Sequence, residues 1–177
     1  MTRATGTAVL IASLVLAGCG GGDSSSSPTD YSGIFVGRWE GLSSFTFGGQ
    51  SSSSQTYIPI TSAGTNSVVL REFCGDGTGP RAEILSSSSL HIQGLTCPAQ
   101  AIGTCAAVTF VVNPGGTGNL ANGQLAIRFS GSATGCGQTF SYTSTFDGQR
   151  TSTNPQALTA ELGTVGAALE SELARSF

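Results

Sequence analysis

The chain carries few groups that could make or break a bond. Among its 177 residues there is one histidine, His91. In Leu90-His91-Ile92-Gln93 it shares a strand face with Gln93, so a solvent-facing position is expected. Serine is abundant, yet no Gly-x-Ser-x-Gly elbow and no ordered spacing of nucleophile and base accompanies it. Glu40, Glu72 and Glu83 fall on separate segments. A pair of carboxylates can hydrolyse a glycoside when about 5–9 Å apart, but Arg38, Arg71 and Arg81 stand beside these three as ion-pair partners. Cys74-Gly75-Asp76-Gly77-Thr78-Gly79 lacks the alternating acids of a calcium loop. Gly115-Gly116-Thr117-Gly118 lacks the lysine and the following helix of a phosphate loop. No Cys-x-x-Cys pair exists, so a zinc site is not expected. The expectation is a protein that is not an enzyme, with no catalytic residue, no metal and no cofactor.

Five cysteines are the reactive groups that remain, and the first has its own setting. Met1-Thr2-Arg3 gives a short positive start. Ala8 to Ala17 is apolar apart from Ser13. This run of about ten residues is too short for a bilayer core, which needs about 20, and has the length of a secretory signal. Leu16-Ala17-Gly18-Cys19 closes it, and Gly20 to Pro28 follows as a Gly/Ser run that stays flexible. The four-residue box resembles the lipobox of bacterial lipoproteins. That resemblance implies diacylglycerol on Cys19, cleavage between Gly18 and Cys19, and acylation of the new amine. Several acyl chains anchor stably where one is marginal. It also implies a bacterial cell envelope location with the membrane as partner. Gly20, where an aspartate would favour inner-membrane retention in enteric bacteria, points to the outer membrane.

Composition sets further bounds. With residues 1–18 removed, six arginines face ten acids, there is no lysine, and the net charge is −4. Scattered cations on an acidic chain argue against nucleic acid. Cys74, Cys97, Cys105 and Cys136 are an even set in an oxidising compartment, so two disulfides are expected. Four divisions follow: a signal peptide over 1–18, a tether over 19–30, a β domain over 31–150 and a C-terminal helix over 151–177.

The elements that must position these residues are strands. Alternation places Phe35 and Trp39 on one face of a segment beginning at Gly33. Further strands are expected at 56–61, 67–73, 81–85, 90–95, 106–112 and 124–130. The last, 139–147, puts Phe140, Tyr142 and Phe146 on one face. Leu158, Leu162, Val165, Leu169 and Leu173 recur at helical spacing, and Thr153 with Gln156 fits a capping box, so an amphipathic helix is expected over about 154–174. The fold class is all-β: about eight antiparallel strands as an up-and-down barrel, plus one C-terminal helix. Gly37-Arg38-Trp39 resembles the G-x-W that opens the first strand of lipocalin-like barrels, which implies a tryptophan plugging one end.

Strand parity then assigns ends. In an up-and-down order, Cys74, Cys97, Cys105 and Cys136 all fall at one rim, with 48–55, 74–80, 96–105 and 131–138 as its loops. The tether enters at the other end. Pairing Cys74–Cys97 and Cys105–Cys136 staples loops two strands apart; Cys97–Cys105 with Cys74–Cys136 is the competitor. Two functions remain open. One is an anchored lipoprotein holding a small apolar ligand among Phe35, Trp39, Phe140, Tyr142 and Phe146, or an envelope protein at the distal rim. The other is a structural envelope lipoprotein whose barrel is filled by those side chains.

Overall fold

Buried and exposed side chains alternate along several long segments, and these build the fold. The computed structural model describes residues 28–74, 77–156 and 162–176. Residues 1–27, with the signal and Cys19, and most of the Gly/Ser tether lie outside the described residues. In chain order the elements are α1 (Ser32–Phe35), β1 (Gly37–Phe47), β2 (Gln50–Gly64), β3 (Ser67–Leu70), β4 (Arg81–Ser86), β5 (Ser89–Ile92) and β6 (Leu95–Thr96). They continue with β7 (Gln100–Ile102), β8 (Cys105–Val112), β9 (Gly116–Ala121), β10 (Gln124–Gly135), β11 (Gln138–Ser152), β12 (Gly163–Thr164) and α2 (Val165–Ser176).

Eight strands close into a ring in the order β1, β2, β3, β4, β5, β9, β10, β11 and back to β1, each antiparallel to its neighbours. The fold is antiparallel β with one short C-terminal helix, and the ring runs up and down in chain order. The sixth stave differs from its expected form. The sequence reading ends it at Asn113-Pro114-Gly115-Gly116, but β8 and β9 lie along the same edge of β10, on either side of that jog. Pro114 has no N–H to give a ladder. The jog survives because Asn113 N–H donates to Ser130 O at 2.8 Å and Gly115 N–H to Ile92 O at 3.1 Å. The fifth stave is broken in the same way into β5, β6 and β7.

Two further boundaries move. The first strand begins at Gly37 rather than Gly33, because Asp30 accepts hydrogen bonds from Ser32 N–H and Oγ–H at 2.9 and 3.0 Å and bends 32–35 into a helical turn. Residues 50–55 are strand rather than loop. Gly48 and Gly49, at φ 54° and 86°, make a two-residue turn. Beyond it, hydroxyl pairs Ser44–Ser53 and Thr46–Ser51, at 2.7 and 2.8 Å, hold the serine run in register.

Above β3 and β4 the wall has a gap. β3 stops at Leu70 and β4 starts at Arg81, while β1, β2, β10 and β11 run on. The helix α2 fills the space between β2 and β7. Val165, Leu169 and Leu173 are buried in the core, and Gln100 Nε2 donates to Glu170 Oε1 at 2.9 Å. The helix starts at Val165, not near 154. β11 continues to Ser152, Asn154 Oδ1 accepts from Gln156 N–H in a local turn, and the cap is Thr164, whose Oγ1 accepts from Ala167 N–H at 3.0 Å. Leu158 lies outside the described residues.

Gly166, a poor helix former, has a packing reason. A Cβ there would strike the carbonyl oxygen of Glu72 and the Cα of Phe73. Alanine raises helix propensity by about 1 kcal/mol, but overpacking costs about 1–3 kcal/mol. Gly166→Ala should therefore lower the denaturant midpoint; a raised midpoint would show that α2 is not pressed against this loop.

Candidate functional site

The interior was the first place expected to hold a ligand. Phe35, Trp39, Tyr142 and Phe146 do point into the barrel, each 2% exposed or less. Phe140 is half-buried. Phe35, Trp39, Tyr142 and Phe146 belong to one buried cluster. Inward glycines on facing strands make room for neighbouring side chains. A Cβ on Gly118 would meet Leu90, one on Gly131 would meet the Tyr142 ring, and one on Gly148 would meet the Phe146 ring. Ile58, Ile60, Leu125 and Ile127 are fully buried beside them. As core side chains, these four aromatics each contribute about 1.5–3 kcal/mol through burial. One polar level crosses this core. Ser43 and Thr56 hydroxyls pair at 2.6 Å, and Ser144 Oγ, buried nearby in sequence register with Phe45, has no partner among the described residues.

At one end Trp39 closes the barrel. Its Nε1–H donates to Phe35 O at 2.7 Å. Arg150, from the end of β11, lies with its guanidinium 5.8 Å from the Trp39 ring centroid. Its Nη1 donates to the carbonyls of Gly33, Ile34 and Val36 at 3.2, 3.1 and 3.3 Å. A short helical turn leaves its carbonyls without partners, and Arg150 supplies them. Asn66 ties the incoming chain to the same end. Its Nδ2 donates to Thr29 O, its Oδ1 accepts from Tyr31 N–H, and its N–H donates to Asp30 Oδ1. The backbone N–H groups of Ser32 and then Asn66 hold the Asp30 carboxyl below the usual carboxylate range. Arg38, on the other face of β1, is buried with Nε on Glu40 Oε1 at 2.6 Å and its guanidinium 3.5 Å over the Tyr57 ring.

At the other end are the cysteines. Cys74 bonds to Cys97 and Cys105 to Cys136, with Cα separations of 5.3 and 5.6 Å. Cys74 follows β3, Cys97 lies between β6 and β7, Cys105 opens β8 and Cys136 sits in the β10–β11 turn. All four thus lie at the rim opposite Pro28–Asp30. Below them is an aromatic layer: Phe73–Phe129, Phe129–Tyr142 and Phe47–Tyr142 ring centroids are 5.4, 6.3 and 5.5 Å apart. Tyr142 Oη–H donates to Val111 O at 3.0 Å.

His91 stands in cross-strand register between Glu83 and Thr117, half-buried. No hydrogen bond joins the three among the described residues. Glu40 is engaged by Arg38, away from Glu83. His91 and Glu83 share a cross-strand pair that Glu40 does not join, whereas Arg150 and the inward glycines carry no motif that marks them in the sequence. Only an arginine closing the last strand could have been flagged, and its partner carbonyls are set by α1.

Two outcomes follow. Non-reducing peptide mapping should recover Cys74–Cys97 and Cys105–Cys136, and removing the second bridge with paired serines should cost about 2–4 kcal/mol; a Cys97–Cys105 peptide would contradict the rim geometry. Burial pushes the Tyr142 phenol above its ordinary pKa. A raised folded pKa gives stability that is complete below about pH 10 and is lost above it, because the unfolded chain releases that proton first. The denaturant midpoint should fall between pH 9 and about 11 in the native chain and fall less in Tyr142→Phe; equal falls would contradict the burial of this phenol.

No family model matches the chain, and no curated protein matches it. A crystal structure from Bacteroides fragilis, of a protein provisionally assigned to the outer membrane, is similar at 13% identity and a TM-score of 0.43. The match covers 68% of this chain and 52% of that one, so the chain spans about half the length of that protein.

Proposed function

We propose that the chain is a lipid-anchored bacterial envelope protein, held to a membrane, outer in this reading, through Cys19. It presents its disulfide-stapled rim to an envelope protein partner. The observation that carries this reading is the separation of the two ends. Thr29 and Asp30 are fastened by Asn66 at the end that Trp39 and Arg150 close, while both disulfides staple the opposite rim. A tether attached at one end turns the other end outward. The packed interior favours a barrel that serves as a rigid spacer over one that stores a small apolar ligand. The same packing leaves outer surfaces and rim loops for contact. The reading is non-catalytic: the dispersal of His91, Glu40 and the cysteines supports it.

Mass spectrometry of the protein purified from its own cells tests the anchor. An N-terminal peptide beginning at acylated Cys19 is expected, and Cys19→Ser should move the protein out of the membrane fraction. An intact Met1–Gly18 segment, or a mature N-terminus elsewhere with unmodified Cys19, would overturn the proposal.

A further inference from the structure

The end of the barrel that Pro28–Asp30 enters carries a groove of about 370 Å³. Ile34, Trp39 and Leu120 form its apolar part, and Asn122, Gln149 and Arg150 its polar part. Arg150 is exposed. Nη1 is taken by the α1 carbonyls, and the rest of the guanidinium has no hydrogen bond or carboxylate partner among the described residues. Two acids at this end are engaged elsewhere: Asp30 by Ser32 and Asn66, and Glu40, in register with Gln149, by Arg38. A cation with no carboxylate partner among the described residues, beside apolar walls, matches an anion that is itself amphipathic.

We infer that this groove binds the headgroup of a membrane phospholipid, with the phosphate on Arg150 and the glycerol end against Ile34, Leu120 and Trp39. A guanidinium takes phosphate through two parallel N–H donors. Asn122 and Gln149 offer amide donors to the headgroup hydroxyls. The choice of a lipid rests on the proposed anchor at Cys19. Eight residues lie between Cys19 and Pro28, so the chain between them spans at most about 30 Å. The groove therefore faces the headgroup layer at short range. The lipid arriving there does not enter the packed lumen; it seats at the closed end and orients the barrel upright.

Trp39 is the sole tryptophan, so its emission reports on the groove. The full mature chain carrying Cys19→Ser, free of its own lipid, is titrated with dihexanoylphosphatidylglycerol below its micelle concentration. A saturable shift in Trp39 emission is expected. Arg150→Gln should abolish it. Because Arg150 also holds α1, Asn122→Asp serves as the second variant: Asn122 sits at φ 52° in an exposed turn where aspartate fits, and the added anion should weaken binding at least tenfold. Inorganic phosphate and octyl glucoside at the same concentrations should give no saturable shift. The inference is overturned by no shift with the lipid, by unchanged affinity in Asn122→Asp, or by equal shifts from phosphate or detergent alone. A negative titration leaves the anchor at Cys19 standing, and an unacylated Cys19 in cells leaves a positive titration standing.

Discussion

Everything in this molecule depends on β11 having two partners. It pairs with β10 over Gln138–Gln149 and with β1 over Tyr142–Ser152. A sheet with free edges could slide, and each one-residue slip would turn every inward side chain outward. With both edges of β11 occupied, Tyr142, Ser144 and Phe146 must face inward and Thr143, Thr145 and Asp147 outward. Closure also fixes the sense of each neighbour, so every connection is assigned to one end or the other. The glycines on inward positions become compulsory for the same reason. A Cβ on Gly131 would strike the Tyr142 ring on the neighbouring strand, and one on Gly148 the Phe146 ring two residues back along β11, so both positions stay glycine.

The two ends solve different problems. The lower end is closed by residues of the chain itself, with Trp39 as the plug and Arg150 as the clasp on α1. A guanidinium there satisfies carbonyls that a one-turn helix cannot satisfy alone, while its aromatic neighbour keeps it in place. The upper end is less regular. β3 and β4 are short, the fifth and sixth staves are jogged, and α2 is drafted in as a replacement wall. Such a rim has few ladder hydrogen bonds to hold it. The disulfides Cys74–Cys97 and Cys105–Cys136 supply covalent restraint where the ladders run out.

Much of this was legible in the residues because strand alternation is a strong local signal. The inward faces of β1 and β11 can be read from Trp39, Tyr142 and Phe146, and the side of each cysteine follows from counting strands. Other features were hidden for physical reasons. Asn113-Pro114-Gly115 reads as a stop, since nothing local reveals that Ser130 and Ile92 will bridge it. The serine run at 51–54 reads as loop, because its strand character comes from hydroxyls on β1. The start of α2 was misplaced because Thr153 and Thr164 are both acceptable caps, and β11's pairing decides between them. The inward glycines were hidden most completely. Gly118, Gly131 and Gly148 look like weak strand residues until the side chains that pack against them are in place.

Closure of the ring at β11 is the central constraint on the fold, and amide hydrogen exchange tests it directly. In an antiparallel strand successive N–H groups point to opposite neighbours. Over Tyr142–Gln149 both β1 and β10 are registered against β11. Consecutive amides across that segment should therefore all exchange slowly, with no alternation. A pattern in which every second amide from Tyr142 to Gln149 exchanges fast would mean that one edge of β11 is open, and the closed barrel would be contradicted.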